Sequence, residues 1–238
     1  AVTSVVIPET IEFEGKSYVL TEISERAFGH QLDLVSVTIE MPLEAIPVEC
    51  FIGCMKLSSV NLPETVVSIG DYAFGNCQAL TDLDFFPANL KYVGAGAFSG
   101  CSGLKEIVIR KGLEYGDNAF GNCSGATSMI IEDIPQGSNT NFWYYGCENL
   151  KTLRIEDSKE ILSIGSLPDA PFEEVYIGRN LTDTPFENCK YSIETVTFGE
   201  CVTSVPNSIF ENSTNLNSVV FGNNINYIGW SAFANTSL

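Results

Sequence analysis

An aromatic residue recurs along this 238-residue chain at a nearly fixed interval, each time inside the same short frame. The frame reads Ile-Gly-x-x-Ala-Phe-x-x-Cys-x-x-Leu-x-x-Val-x-Ile. Phe28, Phe51, Phe74, Phe98, Phe120, Tyr144, Phe186, Phe210 and Phe233 carry it, at spacings of 23, 23, 24, 22, 24, 42, 24 and 23. A period of this size marks units that cannot bury their apolar side alone and must stack on one another. The expectation is a single solenoid over residues 1–238, of about ten coils, with function carried on the surface that stacking builds.

The segment Val66–Phe85 shows the local pattern. Its last six residues alternate in polarity around Leu83 and Phe85, which is strand periodicity with one buried face. The anchor recurs as Val5, Val37, Val60, Leu83, Ile107, Met129, Leu153, Val175, Val196 and Val219. One strand per coil, each reached after a full turn, predicts parallel neighbours about 4.8 Å apart. Gly70, with Gly94, Gly116, Gly165 and Gly229 at matching places, suits a sharp bend through positive φ, and Pro47 and Pro206 replace it elsewhere. The stretch from Asp71 to Asn76 is too short for a free helix and predicts a single helical or 3₁₀ turn.

Two irregularities interrupt the period. Residues 11–20 alternate around a Gly-Lys turn and predict a β-hairpin near the N-terminal end, where it would shield the first coil's edge. Within 156–180, the Ala-Phe-x-x-Cys portion is missing while Phe172-Glu173-Glu174-Val175-Tyr176-Ile177 keeps the strand, which predicts a local dent. The chain stops after Phe233, before the strand that should follow, and begins Ala-Val-Thr with no basic start or apolar stretch. Either the protein ends abruptly or this is a fragment, the favoured reading, and any targeting segment is expected to have been removed.

The motif Ile69-Gly70-Asp71-Tyr72-Ala73-Phe74-Gly75-Asn76-Cys77, echoed at Val93–Cys101, resembles the BspA-type leucine-rich repeat family of bacterial surface proteins. The resemblance covers nearly the whole chain. It implies an α/β solenoid: a leucine-rich repeat right-handed superhelix with one parallel sheet of about ten short strands and short helical or 3₁₀ turns opposite. It also implies a secreted or cell-surface protein tied to adhesion to host matrix proteins or other cells. Asn139 departs from the pattern, standing where other repeats place Ile, Val or Tyr.

Chemistry is sparse. Six of the eight cysteines (Cys54, Cys77, Cys101, Cys123, Cys147 and Cys189) lie three residues after the aromatic anchor and repeat with it. Packing as small buried hydrophobes explains them; disulfides between coils stay open as an alternative. Cys50 is expected in the core and Cys201 in an accessible turn. His30 is the one histidine and reads as a surface-turn residue, which leaves no His-based metal set. Acidic pairs such as Glu173-Glu174 and Asp82 with Asp84 read as a solvated face. No phosphate loop or nucleophile elbow occurs, so neither an enzyme nor a cofactor is expected. Four Asn-x-Ser/Thr triplets, at Asn122, Asn180, Asn212 and Asn235, read as chance matches.

The net charge of −18, from 12 basic and 30 acidic residues, argues against nucleic acid or an anionic membrane as partner. Acidic patches that attract cations or hold Ca²⁺ stay open. The apolar runs, such as Met129-Ile130-Ile131, are too short to cross a bilayer. What remains for recognition is the outward face of the strands, where Val108, Ile130 and Tyr176 interrupt a field of Ser, Thr and acids, joined by Arg110 and Arg154. The aromatic run Phe142, Trp143 and Tyr145 is the second candidate, since Tyr144 takes the core slot. A monomer that recognises a protein partner, such as extracellular matrix or another surface protein, is the leading reading. A spacer region of a larger surface protein, without a ligand of its own, is the alternative.

Overall fold

Each coil is closed by two kinds of β-pairing and one hydrogen-bonded arm. The computed structural model describes residues 2–134 and 143–238. In chain order the strands are β1 (Ser4–Ile7), β2 (Thr10–Phe13), β3 (Lys16–Val19), β4 (Ser36–Ile39), β5 (Ala45–Ile46), β6 (Ser59–Asn61), β7 (Ser68–Ile69), β8 (Tyr92–Val93) and β9 (Glu106–Ile109). They continue as β10 (Glu114–Tyr115), β11 (Ser128–Ile131), β12 (Thr152–Ile155), β13 (Glu174–Ile177), β14 (Thr195–Phe198), β15 (Ser204–Val205), β16 (Ser218–Val220) and β17 (Tyr227–Ile228). The chain divides into two compact units, one of residues 1–105 with 113–125, the other of residues 106–112 with 126–238.

The first unit holds the parallel sheets β1-β4-β6 and β10-β8-β7-β5 and the antiparallel pair β2-β3. The second holds the parallel sheet β16-β14-β13-β12-β11-β9 and the pair β15-β17. Anchors pair with anchors throughout: Val5, Val37 and Val60 in the first unit, and Ile107, Met129, Leu153, Val175, Val196 and Val219 in the second. That register puts Val-x-Ile side chains of successive coils one above another on the core side. A one-residue slip would turn every one of them outward.

Nine anchors therefore sit in strands, and the tenth, Leu83, does not. Phe85 and Phe86 both touch core rings, at 5.5 Å from Phe74 and 5.5 Å from Phe98 respectively. Neighbouring residues of a strand point to opposite faces, so two successive Phe can enter one core only if the chain turns. It does: Phe86 N–H donates to Leu83 O at 3.2 Å, and Asp82 Oδ1 accepts from Asp84 N–H at 3.3 Å. A segment that displays the frame as fully as any other is the one that lacks its strand.

Opposite the strands, the expected helical or 3₁₀ turns are absent; among the described residues there is no helix. The arm around Phe74 shows why. Its N–H groups alternate between local and neighbouring partners: Ala73, Gly75 and Cys77 donate three residues back, to Gly70, Tyr72 and Phe74. Tyr72, Phe74 and Asn76 instead donate to Ala95, Ala97 and Ser99 of the next coil, at 2.9, 2.9 and 2.7 Å. The alternation needs a left-handed residue two positions before and two after the ring, here Tyr72 (φ 53) and Asn76 (φ 59). Arg26 and His30, Glu49 and Gly53, Gly96 and Gly100, Asn118 and Asn122, Ser208 and Asn212, and Ser231 and Asn235 repeat it around their own rings. Left-handed residues so close together exclude a helical turn. They also explain why the position two after the ring is Asn, Gly or His, the residues that tolerate this region best.

The glycines before the arm serve a different purpose from the positive φ expected of them. Gly70, Gly94, Gly116 and Gly229 are absent from the left-handed set, and only Gly165 (φ 75) belongs to it. A Cβ on Gly94 would lie 2.6 Å from Asp71 N, and one on Gly116 2.5 Å from Ala95 N. These glycines let successive backbones approach, so that Gly94 N–H reaches Ile69 O at 2.8 Å.

Rings then stack along each unit. Phe28, Phe51, Phe74, Phe98 and Phe120 lie 5.3–5.9 Å apart and within 15° of parallel. In the second unit Phe186, Phe210 and Phe233 stack at 5.0 and 6.0 Å. Burying each such ring is worth about 2–3 kcal/mol. In the irregular coil Phe172, read from sequence as part of a strand segment, is fully buried and meets Tyr144 edge-on at 6.1 Å, with Leu162, Ile164, Leu167 and Ala170 filling the same core. The hairpin β2-β3 turns through Glu14 and Gly15 rather than Gly-Lys, both at positive φ (51 and 73), as a two-residue type I′ turn requires.

Asn76→Val should cost about 1–2 kcal/mol by forcing a β-branched residue into the left-handed region, while Asn76→Gly should be nearly neutral. Urea denaturation of the two variants checks this. Equal destabilisation by both would show that the side chain, not the backbone conformation, matters there.

Candidate functional site

The outward face of the six-stranded sheet brings together the residues that sequence reading singled out. Register places Val108, Ile130, Arg154 and Tyr176 in one row across β9, β11, β12 and β13, followed by Thr197 and Val220. All four are half-buried by their neighbours. A second row, one pleat earlier, runs Glu106, Ser128, Thr152, Glu174, Thr195 and Ser218. Between the rows lies an open groove of about 300 Å³ that crosses the strands. Arg110, half-buried, sits just past the end of β9.

Arg154 is held rather than free. Its guanidinium carbon lies 4.0 Å above the Tyr176 ring, a cation–π contact. Its Nε donates to Glu156 Oε1 at 2.8 Å and its Nη2 to Asp157 Oδ2 at 3.2 Å. Tyr176 in turn donates its hydroxyl to Asp157 at 2.9 Å. The hydrogen bond from Arg154 holds the Glu156 carboxyl below the usual glutamate range, and it raises Arg154 in the same step. Tyr176 is pushed up, first by burial and then by Asp157. The arrangement depends on Gly199: a Cβ there would lie 2.3 Å from the Tyr176 hydroxyl. Gly178, Gly199 and Gly222 follow three consecutive strands. That short period was visible in the sequence but was not read as room for a side chain.

Beneath this layer Arg179, nearly inaccessible, ties three coils through backbone carbonyls. Its Nη2 donates to Glu132 O at 2.7 Å and its Nε to Glu156 O at 2.9 Å, while Nη1 lies 3.7 Å from Asp133. Lys111 pairs with Glu160 at 3.0 Å and Asp133 at 3.5 Å, which raises its pKa. Sequence reading missed both cations. Their signal is a basic residue two positions past a strand, where the two coils between them carry Asp133 and Asp157.

The aromatic run is resolved differently from the expectation. Trp143 is 2% exposed and lies in the core beside Tyr144, so it is not a surface residue. Tyr145 is 67% exposed. Phe142 lies outside the described residues, as does Asn139.

The cysteine column is packing with a polar detail. Cys54, Cys77, Cys101 and Cys123 each point the thiol at the carbonyl of the Phe one coil earlier, at 3.0–3.2 Å. All eight cysteines are free thiols, and all but Cys201 are buried. Burial pushes Cys50, Cys101 and Cys189 up to about 12 and Cys77 higher still, which removes the thiolate that nucleophilic or metal chemistry needs. His30 is exposed, its ring laid against the backbone of Gly53. Among the described residues no group of three or more His, Cys, Asp or Glu could hold a metal ion.

Parallel strands in register, a stacked aromatic column and a left-handed arm opposite define a leucine-rich-repeat solenoid. The chain belongs to the BspA type leucine rich repeat region family, which matches residues 21–151 and 139–238 in six copies. It is similar to a leucine-rich repeat protein from Bacteroides ovatus, 23% identical over 98% of this chain and 72% of that one, with a TM-score of 0.56. It is also similar to the leucine rich repeat protein of T. pallidum, 26% identical over 80% of this chain and 77% of that one, with a TM-score of 0.51. No curated protein matches it. Solenoids of this kind present extended surfaces for protein–protein interaction.

In the native protein one thiol of eight, Cys201, should react with Ellman's reagent, and all eight after denaturation. Several fast-reacting thiols in the native state would refute the buried column. Ser213 fills a cysteine slot with its hydroxyl buried and without a hydrogen-bond partner. Ser213→Cys should stabilise by about 1 kcal/mol, read from the denaturation midpoint.

Proposed function

We propose that the six-stranded face is a protein-recognition surface and that the chain acts as a non-enzymatic adhesion module at a bacterial cell surface. The observation that carries this reading is the row Val108–Ile130–Arg154–Tyr176. Its Ile130, Arg154 and Tyr176 line an open groove, with the arginine already fixed in position, and Val108 continues the apolar strip beside it. Fixed side chains lose little entropy on binding, and Tyr and Arg are the types that dominate contact energies. Exposed apolar area on an otherwise polar sheet marks contact rather than solvation. A secreted or surface-held setting is part of the same proposal, in keeping with the family to which the chain belongs. Host matrix proteins are the partner class to test, and Tyr145, exposed on its own turn away from this face, is a separate second candidate.

The test is binding of the whole chain to immobilised matrix proteins. The triple substitution Val108→Ser, Ile130→Ser and Tyr176→Ser should weaken any binding at least about tenfold, since several contacts of this type are lost together. An unchanged melting profile must accompany the loss. Unchanged binding by the triple variant would remove this face from the proposal, and no binding to any matrix protein would remove matrix as the partner.

A further inference from the structure

We infer that the groove on the six-stranded face takes an extended, cationic peptide segment, with two basic side chains four residues apart seated at Glu106 and Glu174. This rests on the reading of the same face as a recognition surface and names the chemistry of what it recognises. Three observations carry it.

The first is the charge layout. Glu106, at the start of the earlier row, and Glu174 within it are both exposed and are separated by Ser128 and Thr152; Thr195 and Ser218 continue the row. Two of the cations nearby are committed: Arg154 is drawn toward the strand ends by Glu156 and Asp157, and Lys151 is paired with Glu173. The groove wall therefore presents its two carboxylates without a compensating positive charge in the same row, on a chain of net charge −18. A cationic partner is steered to such a wall and an anionic one is repelled.

The second is distance. Glu106 lies on β9 and Glu174 on β13, three strand steps apart, or about 14 Å at the spacing of a sheet. An extended chain advances about 3.3 Å per residue, so positions i and i+4 span about 13 Å and face the same side.

The third is the middle of the groove. Position i+2 of such a segment points the same way and falls over Ile130 and Thr152, where the wall is apolar and small. A Val, Thr or Ala fits there, and a third charge does not. The class is thus a basic residue, a spacer, a small or β-branched residue, a spacer and a second basic residue.

The probe is a dye-labelled, end-capped ten-residue peptide of Thr, Val and Ala with two lysines four positions apart, followed by fluorescence anisotropy with the whole chain. It should bind, and Glu106→Gln with Glu174→Gln should weaken it about tenfold, as should a rise from about 0.05 to about 0.5 M salt. Lysines two positions apart should bind at least about fivefold more weakly, because only one reaches a carboxylate. The charge-swapped protein Glu106→Lys with Glu174→Lys should instead bind the same peptide with glutamates in place of the lysines, which shows that the variant is folded. Equal binding by both lysine spacings, or by the Gln variant, overturns the inference. If the peptide fails to bind while the Val108, Ile130 and Tyr176 triple variant still loses a protein partner, this inference falls and the recognition face stands. If neither binds, both fall.

Discussion

Everything in the molecule depends on where the arm's N–H groups go. Half of them close turns within the coil and half reach forward to the next, and the switch between the two is made by left-handed residues on either side of the aromatic ring. A backbone without that alternation would leave amides unpaired in a dry core, at a cost of about 1–3 kcal/mol each. The aromatic column is a consequence: once the arms are pinned at the spacing of their hydrogen bonds, the rings have only the offset stack available. The thiols of Cys77, Cys101 and Cys123 complete the same scheme, each adding a donor to a carbonyl that already accepts from its own coil.

Much of this was legible in the sequence because stacking repeats one environment many times. The anchors, the ring column, the burial of the cysteines and the parallel register all follow from period and polarity. What was not legible is how the coil closes. Asp71 to Asn76 looks like a helical turn by length and composition, and only the Asn, Gly and His two residues past each ring hinted otherwise. The glycine column was recognised, but its reason was misread, because lack of room and freedom of φ select the same residue. Leu83 shows the limit of averaging: Phe85-Phe86 overrides the pattern that the other coils obey.

The candidate site was legible in its parts and not in its organisation. Val108, Ile130, Arg154 and Tyr176 could be picked out as outward strand residues, and the register sets them side by side. That Arg154 stacks on Tyr176, and that both are tied to Asp157, depends on side-chain reach and on the space left by Gly199. Trp143 failed as a surface candidate because it is buried next to Tyr144 in the chain, and hydrophobic periodicity cannot say which of several adjacent aromatics will turn inward.

The forward direction of the arm bonds has an evolutionary consequence. Tyr72, Phe74 and Asn76 donate to residues 95, 97 and 99, and Gly96, Phe98 and Gly100 to residues 117, 119 and 121. Each regular coil of this run therefore offers its successor the same donors that it completes with its own carbonyls for its predecessor. A stretch copied or lost in whole periods leaves that correspondence intact, whereas one cut in mid-arm strands three donors at once. Growth by duplication of entire coils is the low-cost route to length, and each added coil brings one more pair of outward strand positions on which selection can act without touching the core.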